Sequence, residues 1–580
     1  MSGRSLVIML ASLVTTMPWQ VNEALASARG VNVADTPHNL SVSGKGAEDK
    51  GNGSLYQSAK EERICIFCHA PHHANSEGPL WSRGISSVTA YIPYASPTLK
   101  AKPGQPREAS RLCLSCHDGT VALGALNPSF NLDEGLPNMG NKPEAEPATK
   151  TSLGWDLSDD HPISFLYSAE QNGEIADLPT IAAAGIKLSQ GAYLECTSCH
   201  NPHNNQNDNF TVINNLPQEN PGTPLCTTCH RKTGWLDDSS HRTGGTRDSA
   251  NGPRIAQWGC INCHLPHNAP GAAHLLKSAV PAANCYQPEE VGSCHNGKNN
   301  DGNIAALFRK PYTHALFSES GVHVQTETLP ARIRHVECAD CHDPHQASYQ
   351  GVPLGSADPA VPPASMAPAI NGPLRGARGV DEWGKTEVTP ATAEYQVCYK
   401  CHAYTNAVFA KYGDRPVRQW DNPDQSARFS TANQSYHPVT GNRRGTGRSL
   451  LVQYQFTMTR IYCADCHSPM GADEKHMLRE RNSDTFPAMD QTYPLCFRCH
   501  DAEYLLNPMR PPNAPSVALH KAHVLDHLGK EAPCSACHDP HGVAANEYLI
   551  NFDTRYAGLT PSFASRSCSV SCHGSNPRSY

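Results

Sequence analysis

The sequence predicts a mostly irregular, loop-rich fold with short α-helices and minimal β structure, and three observations predict it. Only 38% of the chain is hydrophobic. Of its 580 residues, 47 are proline and 43 are glycine. So few aliphatic side chains cannot close a core of ordinary size, and so many turn formers interrupt helices and strands. Finally, there are 24 cysteines, and every one belongs to a pair that runs directly into histidine. Something held at those pairs must supply the apolar surface that the side chains lack.

The chain opens with Arg4, a nine-residue apolar run from Leu6 to Val14, and small residues at Ala24, Ala26 and Ala28. That is the layout of a secretory signal peptide over residues 1–28. A membrane-spanning helix needs roughly 20 apolar residues, so the expectation is export rather than anchoring, with no transmembrane segment in the mature chain. No cysteine precedes Cys65, which argues against a lipid-modified N-terminus. The net charge is -7 with histidine neutral, which argues against nucleic acid as a partner.

Ten cysteine pairs have the form C-x-x-C-H: Cys65/Cys68/His69, Cys113/Cys116/His117, Cys196/Cys199/His200, Cys226/Cys229/His230, Cys260/Cys263/His264, Cys338/Cys341/His342, Cys398/Cys401/His402, Cys463/Cys466/His467, Cys496/Cys499/His500 and Cys534/Cys537/His538. Two are expanded. Cys568/Cys572/His573 has three intervening residues and Cys285/Cys294/His295 has eight. Disulfides in an exported chain, or zinc sites, would also use paired cysteines. Neither requires histidine after every pair. C-x-x-C-H attaches haem c: two thiols add to the two vinyl groups, and the adjacent histidine is the proximal iron ligand. The expectation is therefore about twelve covalent haems. At the widest motif Cys285 is the second thioether, or that haem is held by a single one.

Of the 30 histidines, 18 are not proximal, more than enough for twelve distal positions. Five lie in C-H-x-P-H: His72, His203, His267, His345 and His541. Proline fixes the local backbone and holds the second histidine away from the first haem. His161 and His437 each precede proline, His335 lies three residues before Cys338, and His520, His523 and His527 crowd the approach to Cys534. Of these, His72, His161, His203, His267, His335, His345, His437, His523 and His541 are the candidate distal ligands, beside the twelve proximal histidines.

The motifs fall into six two-haem modules beginning at Cys65, Cys196, Cys260, Cys338, Cys463 and Cys534. Their expected bounds are residues 29–190 with a linker, 191–250, 251–330, 331–455 with a proline-rich insert, 456–515 and 516–580. In the fifth module the tail reads His467-Ser468-Pro469-Met470, and His476 is the candidate substitute ligand. Second motifs lack the tail and run into turns such as His117-Asp118-Gly119 and His295-Asn296-Gly297.

This arrangement resembles the doubled C-x-x-C-H multihaem c-type cytochromes of metal-respiring and sulfur-respiring bacteria. The resemblance implies an elongated fold organised around a chain of haems. It further implies that each C-H-x-P-H histidine ligates the other haem of its own pair, and that the H-P histidines His161 and His437 are distal ligands. The family includes periplasmic carriers, outer-membrane conduits and extracellular filaments. Met470 departs from its pattern.

Regular structure is expected to be sparse. Residues 393–412 read as a helix around Cys398 and Cys401, 518–528 as a short ligand-bearing helix, and 121–126 as one or two helical turns. Residues 454–462 alternate weakly, which predicts a strand with Phe456 and Ile461 inward. Residues 138–148 and 351–379 read as linkers. Arg443, Arg444 and Arg448 form a basic stretch, read either as a solvated loop or as a docking patch for an acidic cytochrome.

With both axial positions filled, iron has no site for substrate, so the expected function is electron transfer through a relay of mainly bis-histidine haems, without substrate turnover. The opposing class, a multihaem oxidoreductase with one open haem, rests on Met470 and the expanded 285/294 motif. The expected location is the outer membrane or the cell exterior, with a diffusible periplasmic carrier as the alternative. Other multihaem cytochromes, an outer-membrane conduit or further copies of the chain are the expected partners.

Overall fold

Most cysteine pairs among the described residues lie in a short helix, and several of these helices are a single turn that begins at the first cysteine. A computed structural model describes residues 32–45, 54, 56–76, 78, 80–126, 136–139, 151–168, 173–216, 219–244, 255–285, 294–296, 304–314, 316, 336–348, 367–370, 372–403, 418–482, 493–506, 520–525 and 532–555, together with the backbone of 556–557, 562–564, 567–569 and 578–579. Among the described residues the longest helices are Glu108–His117 and Glu394–His402. Most of the rest are one turn long, as at Cys196–Cys199, Cys338–Cys341 and Cys534–Cys537.

Those short turns are set by local chemistry. Glu195 and Ser198 bracket Cys196–Cys199 in a reciprocal cap, and Glu337 and Asp340 do the same for Cys338–Cys341. His200, His342 and His538 then turn extended, which ends each helix on the ligand itself.

Among the described residues sheet content is minor, with no closed barrel. β1 (Phe165–Leu166) pairs antiparallel with β2 (Tyr193–Leu194), β3 (Gly379–Val380) with β4 (Glu387–Val388), and β5 (Ser435–Tyr436) with β6 (Gly542–Val543). β7 (Ser562–Ala564), β8 (Ser567–Ser569) and β9 (Arg578–Ser579) form a three-stranded ribbon. The β5–β6 pair joins segments a hundred residues apart. Gly542 permits it, because a Cβ there would overlap the Arg428 carbonyl.

The core is divided into small clusters rather than gathered in one place. Phe165, Tyr167, Ile181, Ile186 and Leu194 form one, and Tyr395, Tyr399, Phe429 and Val439 another. Among the described residues no helix is long and apolar enough to cross a membrane.

Four expectations are corrected. Residues 454–462 form no strand: Val452–Gln455 is a helical turn, and Phe456 is 87% exposed rather than inward. Alternation over so short a stretch loses to the turn that Leu451 begins, where its carbonyl accepts from the Tyr454 N–H. Residues 121–126 form a turn closed by Ala125 N–H to the Ala122 carbonyl, not a helix. The helix at Cys398 ends at His402, with Ala403 extended. The end of the second linker is structured, with a turn at Gly372–Leu374 and β3. Of the 518–528 segment, Lys521–Leu525 is one wide helical turn and 526–528 lie outside the described residues. Arg443 and Arg444 are spent internally: their guanidiniums donate to the Gln455 carbonyl and to the Asn433 carbonyl, and Arg444 lies over the Tyr436 ring.

Candidate functional site

The attachment turn has one backbone signature. The histidine N–H donates to the carbonyl of the first cysteine, at 2.8 Å for His69 to Cys65, 2.9 Å for His200 to Cys196 and 2.9 Å for His538 to Cys534. The widest motif keeps that signature, with His295 N–H to the Cys285 carbonyl at 3.0 Å. Cys285 therefore holds the first-cysteine position.

Backbone carbonyls also fix the proximal rings. The Nδ1 of His117 meets the Thr151 carbonyl at 2.6 Å, His200 meets Asn209 at 2.8 Å, His264 meets His274 at 2.9 Å and His342 meets Pro373 at 2.9 Å. A carbonyl only accepts, so Nδ1 donates its proton and the Nε2 lone pair is left for a metal. Burial and neighbouring imidazoles favour the neutral form as well. His161, His264 and His402 are each pushed down to about 4, first by desolvation.

Ten proximal histidines face a second histidine ring. The pairs are His69–His203 (6.1 Å between ring centres), His117–His38 (6.2 Å), His200–His267 (6.1 Å), His230–His161 (6.1 Å) and His264–His345 (6.2 Å). They continue with His295–His241 (6.2 Å), His402–His314 (6.4 Å), His467–His541 (6.1 Å), His500–His437 (6.2 Å) and His538–His520 (5.8 Å). Two metal–nitrogen bonds of roughly 2 Å put facing nitrogens about 4 Å apart, and half a ring at each end brings the centres to about 6 Å. The spacing of every pair fits a metal ion between the two rings.

The pairing follows a rule that was not anticipated. The histidine of each C-H-x-P-H tail does not face its own module: His203, His267 and His345 face the first proximal histidine of the module before. His541 does the same for His467, so the expected ligation within a pair is corrected. Meanwhile a histidine preceding each of the first five modules faces that module's own second motif: His38, His161, His241, His314 and His437. Of these, His38, His241 and His314 had no local signature; their one signal is the recurrence of a histidine ahead of each module.

The remaining candidates fall elsewhere. His72 is exposed, and among the described residues no histidine ring faces it. His476 serves through its backbone, its carbonyl taking the Nδ1 of His467 at 3.0 Å while His541 takes the facing position. At the sixth module His520, rather than His523, faces His538, and the His523 carbonyl accepts from the Ala532 N–H. His335, Cys572 and His573 lie outside the described residues.

Successive motifs are in contact. Within modules, the Cys68 and Cys116, Cys199 and Cys229, and Cys263 and Cys294 thiols lie within electrostatic reach; burial first, and then that neighbour, pushes Cys68 and Cys199 up to about 12 and Cys263 up to about 11. Between modules, Cys113 and Cys196, Cys226 and Cys260, Cys285 and Cys338, Cys398 and Cys463, and Cys496 and Cys534 lie within hydrogen-bonding reach. An apolar-lined cavity of about 4700 Å³ runs past His69, His117, His200, His264, His342 and His467. A small-molecule site occupies roughly 300–1,000 Å³, so this one suits a row of large flat groups. Glu394, Cys398 and Cys463 come within ligand distance of one another, but both thiols belong to attachment motifs and the cluster is part of the same site.

The family model described as Doubled CXXCH motif matches residues 190–234 and 458–504. The chain carries doubled c-type haem-binding motifs. The two matches span the second and fifth modules and start just ahead of their first motifs. None of the curated proteins compared with the chain matches it.

Proposed function

We propose that the chain is an exported electron-transfer protein in which twelve covalently attached c-type haems form one continuous relay through six two-haem modules. The observation that supports it best is the set of ten facing histidine pairs at one common spacing. When bound, haem iron supplies one-electron redox chemistry. The chain's own residues do the rest. Paired cysteines hold each group covalently, carbonyl-anchored imidazoles present Nε2 from both faces, and the apolar lining excludes water. Filling both faces leaves no coordination position for a substrate, so the reading is transfer without turnover. The closeness of successive motifs from Cys65 to Cys534 supports a single file of redox centres rather than two separate clusters.

A relay of this length favours distance over mobility, and the reading places it at the outer membrane or beyond the cell. Its partners are then other multihaem cytochromes, an outer-membrane conduit or further copies of itself. Denaturing mass spectrometry of the mature protein, joined to the electronic spectrum of its oxidised form, tests the reading. Twelve haems and a low-spin spectrum are expected. Fewer haems after complete maturation, or a high-spin spectrum throughout, would overturn it.

A further inference from the structure

Among the described motifs the ligation rule leaves one iron without its expected histidine. The first motifs of the first, second, third and fifth modules are faced by the tail histidine of the next module, and that of the sixth by His520. For the fourth module the next tail ends in Met470. Among the described residues no histidine ring faces His342. We propose that the Met470 sulfur is the distal ligand of the haem held by Cys338, Cys341 and His342, making it a histidine–methionine centre among bis-histidine neighbours. This rests on the relay reading above.

The backbone around Met470 is that of the histidine tails. In two of them the residue after the tail closes a turn back to the residue before proline, at 3.1 Å for Asn204 N–H to the Asn201 carbonyl and 3.1 Å for Gln346 to Asp343. Gly471 N–H to the Ser468 carbonyl, at 3.0 Å, repeats it. At three tails the proline carbonyl receives Nδ1 of the previous module's other distal histidine: Pro202 from His38 at 3.0 Å, Pro344 from His241 at 2.8 Å, and Pro540 from His437. Pro266 instead accepts the backbone N–H of His161. Pro469 receives Nδ1 of His314 as those three do, at 2.6 Å, and His314 faces His402, the module partner of His342.

The junction is seated like the others. The Cys398 and Cys463 thiols are in reach, and Tyr312 and Ala472 exchange backbone hydrogen bonds at 3.2 and 2.9 Å, tying the tail loop to the His314 segment. Met470 and His342 line the same cavity. The Gly471 φ of +154° allows its carbon to lie against the Leu307 carbonyl, where a side chain would collide. The loop is thus built to bring position 470 to the place a ligand occupies elsewhere. A thioether is a neutral, soft donor that favours ferrous iron, so this centre takes the highest potential of the twelve.

Near-infrared magnetic circular dichroism of the fully loaded, oxidised holoprotein reads the ligand directly. A methionine-sulfur-to-iron charge-transfer band worth one haem in twelve is expected, absent from M470H and from M470L. M470H restores the repeat's own residue, so it keeps the fold; there the most positive step of a redox titration should disappear into the bis-histidine range. The band persisting in M470H, or twelve bis-histidine haems in the unaltered protein, overturns the inference and leaves the relay reading intact. The rival histidines His323 and His335 lie outside the described residues; H323A and H335A should leave the band unchanged, whereas a new high-spin haem in either would assign the position to that histidine. A missing haem at Cys338 and Cys341 would instead count against the relay itself.

Discussion

The imidazole of His541 stands three residues from its own attachment motif yet faces His467, in the module before. Replacing it tests the ligation rule at a single side chain. H541A should open the iron at His467, giving a high-spin fraction of one haem in twelve that added imidazole returns to low spin; H72A should leave the intact monomer's spectrum unchanged. An opened iron at His573 instead would restore ligation within pairs. At the widest motif, the kept bond from His295 to the Cys285 carbonyl places both thiols for attachment. Exhaustive alkylation of the unfolded holoprotein should therefore leave Cys285 unmodified, and recovery of an alkylated Cys285 peptide would show a single thioether.

At the scale of elements, the two-residue strands and one-turn helices gain their stability from what they join. Gly542 in β6 lies against the Arg428 carbonyl, and Arg428 pairs with the buried Asp539. G542V forces that contact apart, and overpacking of this kind costs about 1–3 kcal/mol; a lowered melting temperature with unchanged haem content is the expected result. Glu394 opens its helix and accepts from the N–H groups of Cys463 (2.8 Å) and Ala464 (3.0 Å) across a module junction. Burial pushes its carboxyl up to about 7 from 4.5, against those two donors and with Asp465 adding to the rise. A raised folded value means that the folded chain holds the proton more tightly than the unfolded one. Its contribution to stability is complete below about 4.5 and is lost as pH rises through about 7. Denaturation midpoints across that window should fall more steeply for the natural protein than for E394Q; equal slopes would remove Glu394 from the account.

The doubled haem-binding motif was legible in the sequence, because C-x-x-C-H states its chemistry within five residues. His161 and His437 could be singled out by their following proline. The partners of the tail histidines could not be read, since proline sets the direction in which the side chain leaves the turn but not which module stacks against it. His38, His241 and His314 sit among ordinary loop residues, and only the stacking gives them a role. Strands of two residues are too short for a period to show, which is why 454–462 misled and β5–β6 went unseen.

For the whole molecule, the rule predicts what shortening does. A chain ending at residue 515 keeps ten attachment motifs but loses His541. It should bind ten haems, one of them high-spin at His467, while the first four modules stay low-spin; ten low-spin haems would mean that each module ligates itself. The continuous contacts from Cys65 to Cys534 further imply that this loss stays local, since each junction involves only neighbours.

The shifted ligation also gives maturation a direction. On the proposed reading, a chain leaving an export channel from its N-terminus would present the Cys65 module before residue 203 had emerged, so His69 would hold its haem without the facing histidine until the following module arrived. Each arrival closes the iron behind it and leaves a new one open ahead. The growing end is thereby the reactive end, and a stalled chain would be marked by one open iron at the point of arrest.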